Sequence, residues 1–245
     1  MTRSSASPWV ALAALLALPG CAAPLAWDGS VGRWGSVREA LAEGQSEARV
    51  EVGAVARSPY ALGLGAVAGL EGEITVLDGI VWVTRAAADG GLETERGSGA
   101  GVQATLLALA RVERWRSVPL PPDPGRTGLE AAVRREVERA GLAGLETVPF
   151  EVRGELCDLE AHVVRGACPY GAAADPPAAR APVRVRRGRA WGTLVGFLTR
   201  LPPGELTHHA ERAHVHVVLD DGPTAHVEQV DVGRSAVLLL PDLSR

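Results

Sequence analysis

The stretch 213-AHVHVVLDDGPTAHVEQV-230 decides how this chain is read. Its first arm alternates, so His214 and His216 share one strand face while Val215 and Val217 share the other. The run 220-DDGP-223 is rich in turn formers. A hairpin centred near Asp221 sets His216 opposite His226 and Glu228 opposite His214, all on one side. Histidines at i and i+2, with a third on the neighbouring strand, can bring three imidazoles into one coordination shell. Three protein ligands plus an open position is the catalytic zinc arrangement. A solvated polar strand face accounts for the same residues without a metal. Glu228 reads either as a partner behind a ligand or as an outward polar residue. His208 and His209, in the loop ahead of the hairpin, are expected to be exposed to solvent.

Histidine stands out because the basic composition is otherwise uniform: the chain has no lysine, and no asparagine. Its 245 residues, 47% of them hydrophobic, are enough to bury a core as one large domain or two small ones. A formal net charge of -4 offers no basic field to nucleic acid.

The N-terminus reads as an export signal. After Arg3, the apolar run from Trp9 to Leu18 has signal-peptide length and is too short to span a bilayer. It ends in 18-LPGC-21, which resembles a bacterial lipobox and implies cleavage before Cys21 and a lipid anchor on that thiol. An ordinary cleaved signal is the alternative, and both readings export the protein. Export lets Cys157 and Cys168 pair as a disulfide; two buried free thiols is the other reading.

Elsewhere the pattern is mostly strands. Ser36 and Glu39 form a capping box for a short helix that Gly44 ends. In 73-EITVLDGIVWV-83, β-rich arms flank Asp78-Gly79, the pair a type I′ turn favours. Glu73 and Thr75 share one face of the first arm, and Ile74 and Val76 the other. The apolar run 102–115 fits strand or helix equally. Thr127 and Glu130 form a second capping-box pattern, and Leu129, Val133, Val137 and Ala140 recur at helical spacing before Gly141. Strand-like segments follow at 148–156 and 159–164, then a loop at 171–182. The run 183–198 reads as two strands, and no internal repeat is visible. The class is α+β and strand-rich. Residues 1–20 are expected as a lipoprotein-type signal peptide and 21–35 as a tether. An N-terminal subdomain follows at 36–150, and a C-terminal β subdomain with the histidines at 151–245.

Three blocks of this sequence resemble the α-acetolactate decarboxylase family. The first is 192-GTLVGFLTRLPPGEL-206 followed by His214-x-His216, the acidic pair Asp220-Asp221 and 225-AHV-227. The second is 69-GLEGEITVLDG-79, and a looser third is 150-FEVRGEL-156 followed by Pro169-Tyr170. The resemblance implies a mixed β-sheet subdomain and a β-barrel-like subdomain with zinc between them, often in a homodimer. It implies His214, His216 and His226 as zinc ligands and Glu73 as the active-site carboxylate. The implied substrate is a small 2-hydroxy-3-oxo acid, decarboxylated to acetoin or a similar product. The chain also departs from the family pattern. Ala66 stands where the family has threonine, His162 stands where it has arginine, and the tail 241-PDLSR-245 carries no glutamate. His162 could act as an acid or base, or be an ordinary strand residue. Arg165 has an odd offset from that position and is expected on the other face. A metal- or small-ligand-binding lipoprotein without catalysis is the second reading of function, and a zinc hydrolase using Glu73 or Glu228 as base is a third.

Overall fold

A computed structural model of the chain describes residues 26–120, 126–167, 180–208 and 211–243. Two antiparallel sheets pack against each other. The first contains β1 (Gly32–Trp34), β2 (Val50–Glu51), β3 (Ala61–Val67), β4 (Glu73–Leu77), β5 (Ile80–Ala86), β6 (Leu92–Gly97) and β7 (Gln103–Arg111). Its order is β1-β7-β3-β4-β5-β6, with β2 also on β7. The second contains β8 (Trp115–Pro119), β9 (Thr147–Val163), β10 (Val183–Thr199), β11 (Ala213–Leu219), β12 (Thr224–Val232) and β13 (Val237–Pro241). The helices are α1 (Val37–Leu41), α2 (Val52–Val55) and α3 (Arg126–Arg139).

The α+β class and the two strand-rich units match the sequence reading. Each described pairing in the first sheet is antiparallel, however, so the mixed strand direction implied by the resemblance does not hold there. Sheet membership changes between Arg111 and Trp115.

The second sheet closes on itself. β10 pairs with β11, β11 with β12, β12 with β9, and β9 with β10 again. Closure leaves none of these four strands as a free edge over its paired length. β13 and then β8 extend outward from the first half of β9. Two long strands make closure possible, and both had read as pairs of shorter ones. Gly154 (φ 139°) and Asp158 (φ 45°) bend β9 without ending it. In β10, glycine serves close packing and not a break. A Cβ on Gly196 would lie 2.2 Å from the Phe150 ring, which fills that space instead.

Local chemistry explains the other elements. Ser36 caps α1 by accepting from the Glu39 N–H (3.1 Å), and the Glu39 carboxylate accepts from the Ser36 hydroxyl (3.2 Å). Asp78 (φ 51°) and Gly79 (φ 73°) are both left-handed, as a type I′ turn requires. α3 begins at Arg126, so Thr127 lies inside the helix and not at its cap. The ambiguous run near residue 102 is strand β7, buried on both faces from Ala104 to Ala110 because it sits between β1 and β3 with the second sheet behind it. Separate apolar clusters fill the barrel (Phe150, Leu194, Val217) and the first sheet (Val52, Ile74, Leu107). A third joins Leu64 and Ala108 of the first sheet to Phe197 of β10 and to Leu206 in the loop that follows it. That seam fixes where side chains of β4 meet those of β11 and β12.

Candidate metal centre

The strand register brings the histidines together. His216 pairs directly with His226, as the hairpin reading expects. His214 pairs across the other edge of β11 with Phe197. β12 bulges between Val227 and Gln229, so Glu228 does not continue the ladder opposite His214. All three imidazoles are buried, and one nitrogen from each lies within 4.8 Å of the others. A solvated polar strand face is thereby excluded.

Their hydrogen bonds orient them. His214 Nδ1 donates to the Leu206 carbonyl (2.7 Å), and His216 Nδ1 donates to the Ile74 carbonyl (3.0 Å). A ring that donates through Nδ1 carries its lone pair on Nε2. His216 Nε2 is buried without a hydrogen-bond partner, and so is His226 Nε2. An unsatisfied buried nitrogen is unfavourable, and a bound cation relieves it. His214 Nε2 lies 3.1 Å from His226 Nδ1. Two imidazole nitrogens on one tetrahedral ion are about 3.3 Å apart, from bond lengths near 2.0–2.1 Å. Burial lowers the pKa of His216 to about 3 and drives that of His226 well below the usual histidine value. Both rings are therefore neutral, the form that donates a lone pair to a metal. These residues fit a divalent metal such as zinc.

Glu73 enters from the first sheet. It is buried, its Oε1 accepts from the Val164 N–H (3.1 Å), and its Oε2 lies 3.6 Å from His216 Nε2. Burial raises its pKa to about 8, against the opposing hydrogen bond from Val164. With His216 neutral and Glu73 protonated near neutral pH, their contact is not an ion pair. Thr75, on the same face of β4, places its hydroxyl 3.2 Å from His216 Nδ1 and against the Thr224 hydroxyl. Thr224 in turn gives its backbone N–H to Thr84 Oγ1 (2.9 Å).

His162 of β9 is buried beside the cluster, 5.0 Å between ring centroids from His226. Its Nδ1 lies 2.9 Å from Glu228 Oε1, and Glu228 also pairs with Arg184. A small cavity of about 40 Å³ is lined by Glu73, His162, His208, His214 and His226, with Ala66, Leu70 and Leu106 among its apolar walls. His208 is thus not the solvent-exposed loop residue expected from sequence. Its ring is 5.5 Å from that of His226, because the loop from β10 to β11 folds back over the cluster. Cys157 is a free thiol on β9, and Cys168, its expected disulfide partner, lies outside the described residues. Cys21 and His209 also lie outside them.

The chain is thus an α+β protein with a buried three-histidine centre at the seam of two antiparallel sheets. Its fold is that of α-acetolactate decarboxylase. A protein of unknown function similar to alpha-acetolactate decarboxylase from Staphylococcus aureus superposes with a TM-score of 0.65, at 16% identity over 86% of this chain and 84% of that one. Alpha-acetolactate decarboxylase from Bacillus subtilis strain 168 gives 0.63, at 15% identity over 86% and 85%. The acetolactate decarboxylase of Bacillus subtilis subspecies spizizenii gives 0.62, at 14% identity over 86% and 85%. No protein-family model matches the sequence, and no curated protein matches it. The likeness motivated by short sequence blocks therefore rests on the fold.

Proposed function

We propose that this protein is a zinc-dependent carbon–carbon lyase of the acetolactate decarboxylase type, acting on a small 2-hydroxy-3-oxo acid. One observation carries the reading: buried, neutral, partly orphaned imidazoles and a buried carboxyl converge at one seam of that fold. His214, His216 and His226 would hold the ion. When bound, zinc supplies a Lewis acid that stabilises the negative charge left on the substrate oxygens as carbon dioxide departs.

The protein's own groups do the rest. Glu73 Oε1 is anchored by the Val164 N–H, which leaves Oε2 turned toward His216. Burial favours the protonated carboxyl, and that oxygen is the group to place a proton on the carbon that carbon dioxide has left. Leu70, Leu106 and Val164 exclude water from the transfer. His162 faces the same cavity, where it can bind a polar group of the substrate.

A second reading, a metal-holding protein without catalysis, is favoured by the cavity. Its 40 Å³ suits an ion and a water better than a branched hydroxy-keto acid. The two readings separate in one experiment. The chain from Ala22, without a histidine tag, is assayed for bound zinc and for carbon dioxide and acetoin release from racemic α-acetolactate above the spontaneous rate. Near-stoichiometric zinc with release, lost in His214→Ala, supports the lyase. Zinc without release supports the binding protein. Failure to take up zinc after reconstitution sinks both.

Export and a lipid anchor at Cys21 complete the proposal, with mass spectrometry of the N-terminal peptide as their test. Among the described residues no helix is long and apolar enough to cross a membrane. A homodimer is tested by light scattering.

A further inference from the structure

A second cavity, of about 320 Å³, lies between α3, the turn that follows it and the adjoining ends of β9 and β10. It shares no lining residue with the metal cavity. Its walls divide by chemistry. Val137 of α3, Leu142 and Leu145 of the turn, Val148 of β9 and Leu198 of β10 make an apolar floor, and all but Leu145 are buried. Leu198 pairs directly with Val148, so the two share a face of the sheet. Arg134, Arg200 and Arg212 line the same space and are exposed to solvent.

Two of the arginines are held in place. Arg200 and Arg212 are the first and last residues of the segment that joins β10 to β11, and the Thr199 N–H closes that segment by donating to the Arg212 carbonyl (2.8 Å). Each guanidinium gives one N–H to a backbone carbonyl, Arg200 to Ala143 (3.1 Å) and Arg212 to Leu201 (3.3 Å). A guanidinium has five N–H donors, so most remain for a ligand. Arg139, at the end of α3, pairs with Glu136, but among the described residues Arg134, Arg200 and Arg212 make no ion pair. Glu138 is the acid among the lining residues, so the rim sets three positive charges against one negative. The chain as a whole carries -4, so this attraction for an anion is local.

An apolar floor with a few convergent charged groups is the build of a small-molecule site, and this volume is at the small end for one. We infer that the cavity binds an aliphatic monocarboxylate of medium chain length, its tail on Val137, Leu142 and Leu198 and its carboxylate on the three arginines. The planar guanidinium matches a carboxylate with paired hydrogen bonds. An inorganic anion uses the rim and leaves the floor bare. A neutral alcohol uses the floor and leaves the guanidiniums without a counter-charge. The site stands apart from the metal centre and does not depend on the chain being a lyase.

The test is titration calorimetry on the full chain with octanoate as the probe. One octanoate should bind per chain, and octanol should bind at least about tenfold more weakly, for want of the charge-assisted hydrogen bonds. From butanoate to octanoate, affinity should rise by up to about fourfold per methylene. Arg200→Ala and Arg134→Ala should each weaken octanoate by about tenfold. Arg135→Ala, exposed on the same helix but outside the cavity, should change nothing. Arg134→Ala keeps the test open if Arg200→Ala, which also frees the Ala143 carbonyl, fails to fold. Removing zinc with a chelator should leave octanoate binding as it was. Absence of binding, or octanol binding as tightly as octanoate, overturns the proposal. So does a loss in Arg135→Ala equal to that in Arg134→Ala, or binding that vanishes with the zinc, which would put the carboxylate on the ion.

Discussion

The two sheets meet at the same seam and contribute differently to it. The barrel supplies the imidazoles, from β9, β11 and β12, and its ring of pairings holds each of those strands on both sides. The first sheet supplies a carboxyl and a hydroxyl, Glu73 and Thr75, both from β4. The division has a physical logic. A metal shell must be held to fractions of an ångström, which suits closed strands. A proton-handling group needs a low-dielectric setting more than it needs several partners, and Glu73 has one backbone N–H and burial on the facing sheet.

The largest effect should come from the barrel side. His216→Ala removes a ligand whose Nδ1 also ties the two sheets together through the Ile74 carbonyl. Zinc affinity should fall by at least about a hundredfold, beyond what the loss of an outer partner brings. Competition against a chromophoric chelator measures it. Affinity within tenfold of the native value would mean that the histidines do not form one shell.

Glu73→Gln attacks the other side. The amide keeps the shape and can still accept from the Val164 N–H, but Oε2 no longer carries a transferable proton. Turnover should drop by about 10²- to 10⁴-fold, the usual contribution of a general acid. Zinc content should remain near native. If zinc is lost along with turnover, Glu73 belongs to the shell, and the division between the sheets collapses.

These residues differed in how far the sequence revealed them. The histidine hairpin was legible because alternation and a turn centre together define a register, and His216 does face His226. The β4–β5 hairpin was legible for the same reason, and its Asp-Gly turn has the backbone expected. Closure of the barrel was not legible. It depends on β9 and β10 each running through glycines that look like breaks, and only Phe150 packed on Gly196 shows why β10 continues. Glu228 was placed opposite His214 because a bulge leaves no mark in a simple two-residue alternation. His208 was assigned to solvent because loop composition says nothing about the direction in which a loop folds. Thr75 could be put on the face of Glu73 from alternation, but its contact with His216 needs the facing sheet.

Thr75→Val gives a finer measure of the seam. The change removes a hydroxyl from His216 Nδ1 and from Thr224 and preserves the volume. The Ile74 carbonyl still holds the ring. Zinc affinity should therefore weaken by about tenfold, the low end for an outer-shell partner. The same chelator competition reads it. An effect as large as that of His216→Ala would show that the first sheet, too, sets the metal geometry.

The smallest effect separates two buried carboxyls, one in each sheet. Glu151 of β9 is buried, and burial raises its pKa to about 7 although Arg153, 2.6 Å away, opposes the shift. Its folded value lies above the ordinary 4.5, so its contribution to stability is full below about 4.5 and is lost as pH rises through 7. Glu73 acts in the same sense up to about 8. His216, with its value lowered to about 3, acts in the opposite sense, with stability present above 6.5 and lost as pH falls. In the metal-free protein, urea denaturation between pH 4.5 and 7 should show a more positive change of stability with rising pH in Glu151→Gln than in the native chain. Glu73 and His216 titrate in opposite senses over most of this range, so the difference from the native chain isolates Glu151. Zinc binding should be unchanged, since Glu151 faces its arginine and not the histidines. An unaltered pH slope would mean that Arg153 keeps Glu151 ionised throughout. Burial alone would then not distinguish the two carboxyls. The presence of an arginine beside one, and of only a backbone N–H beside the other, would be what separates a structural group from a proton-carrying one.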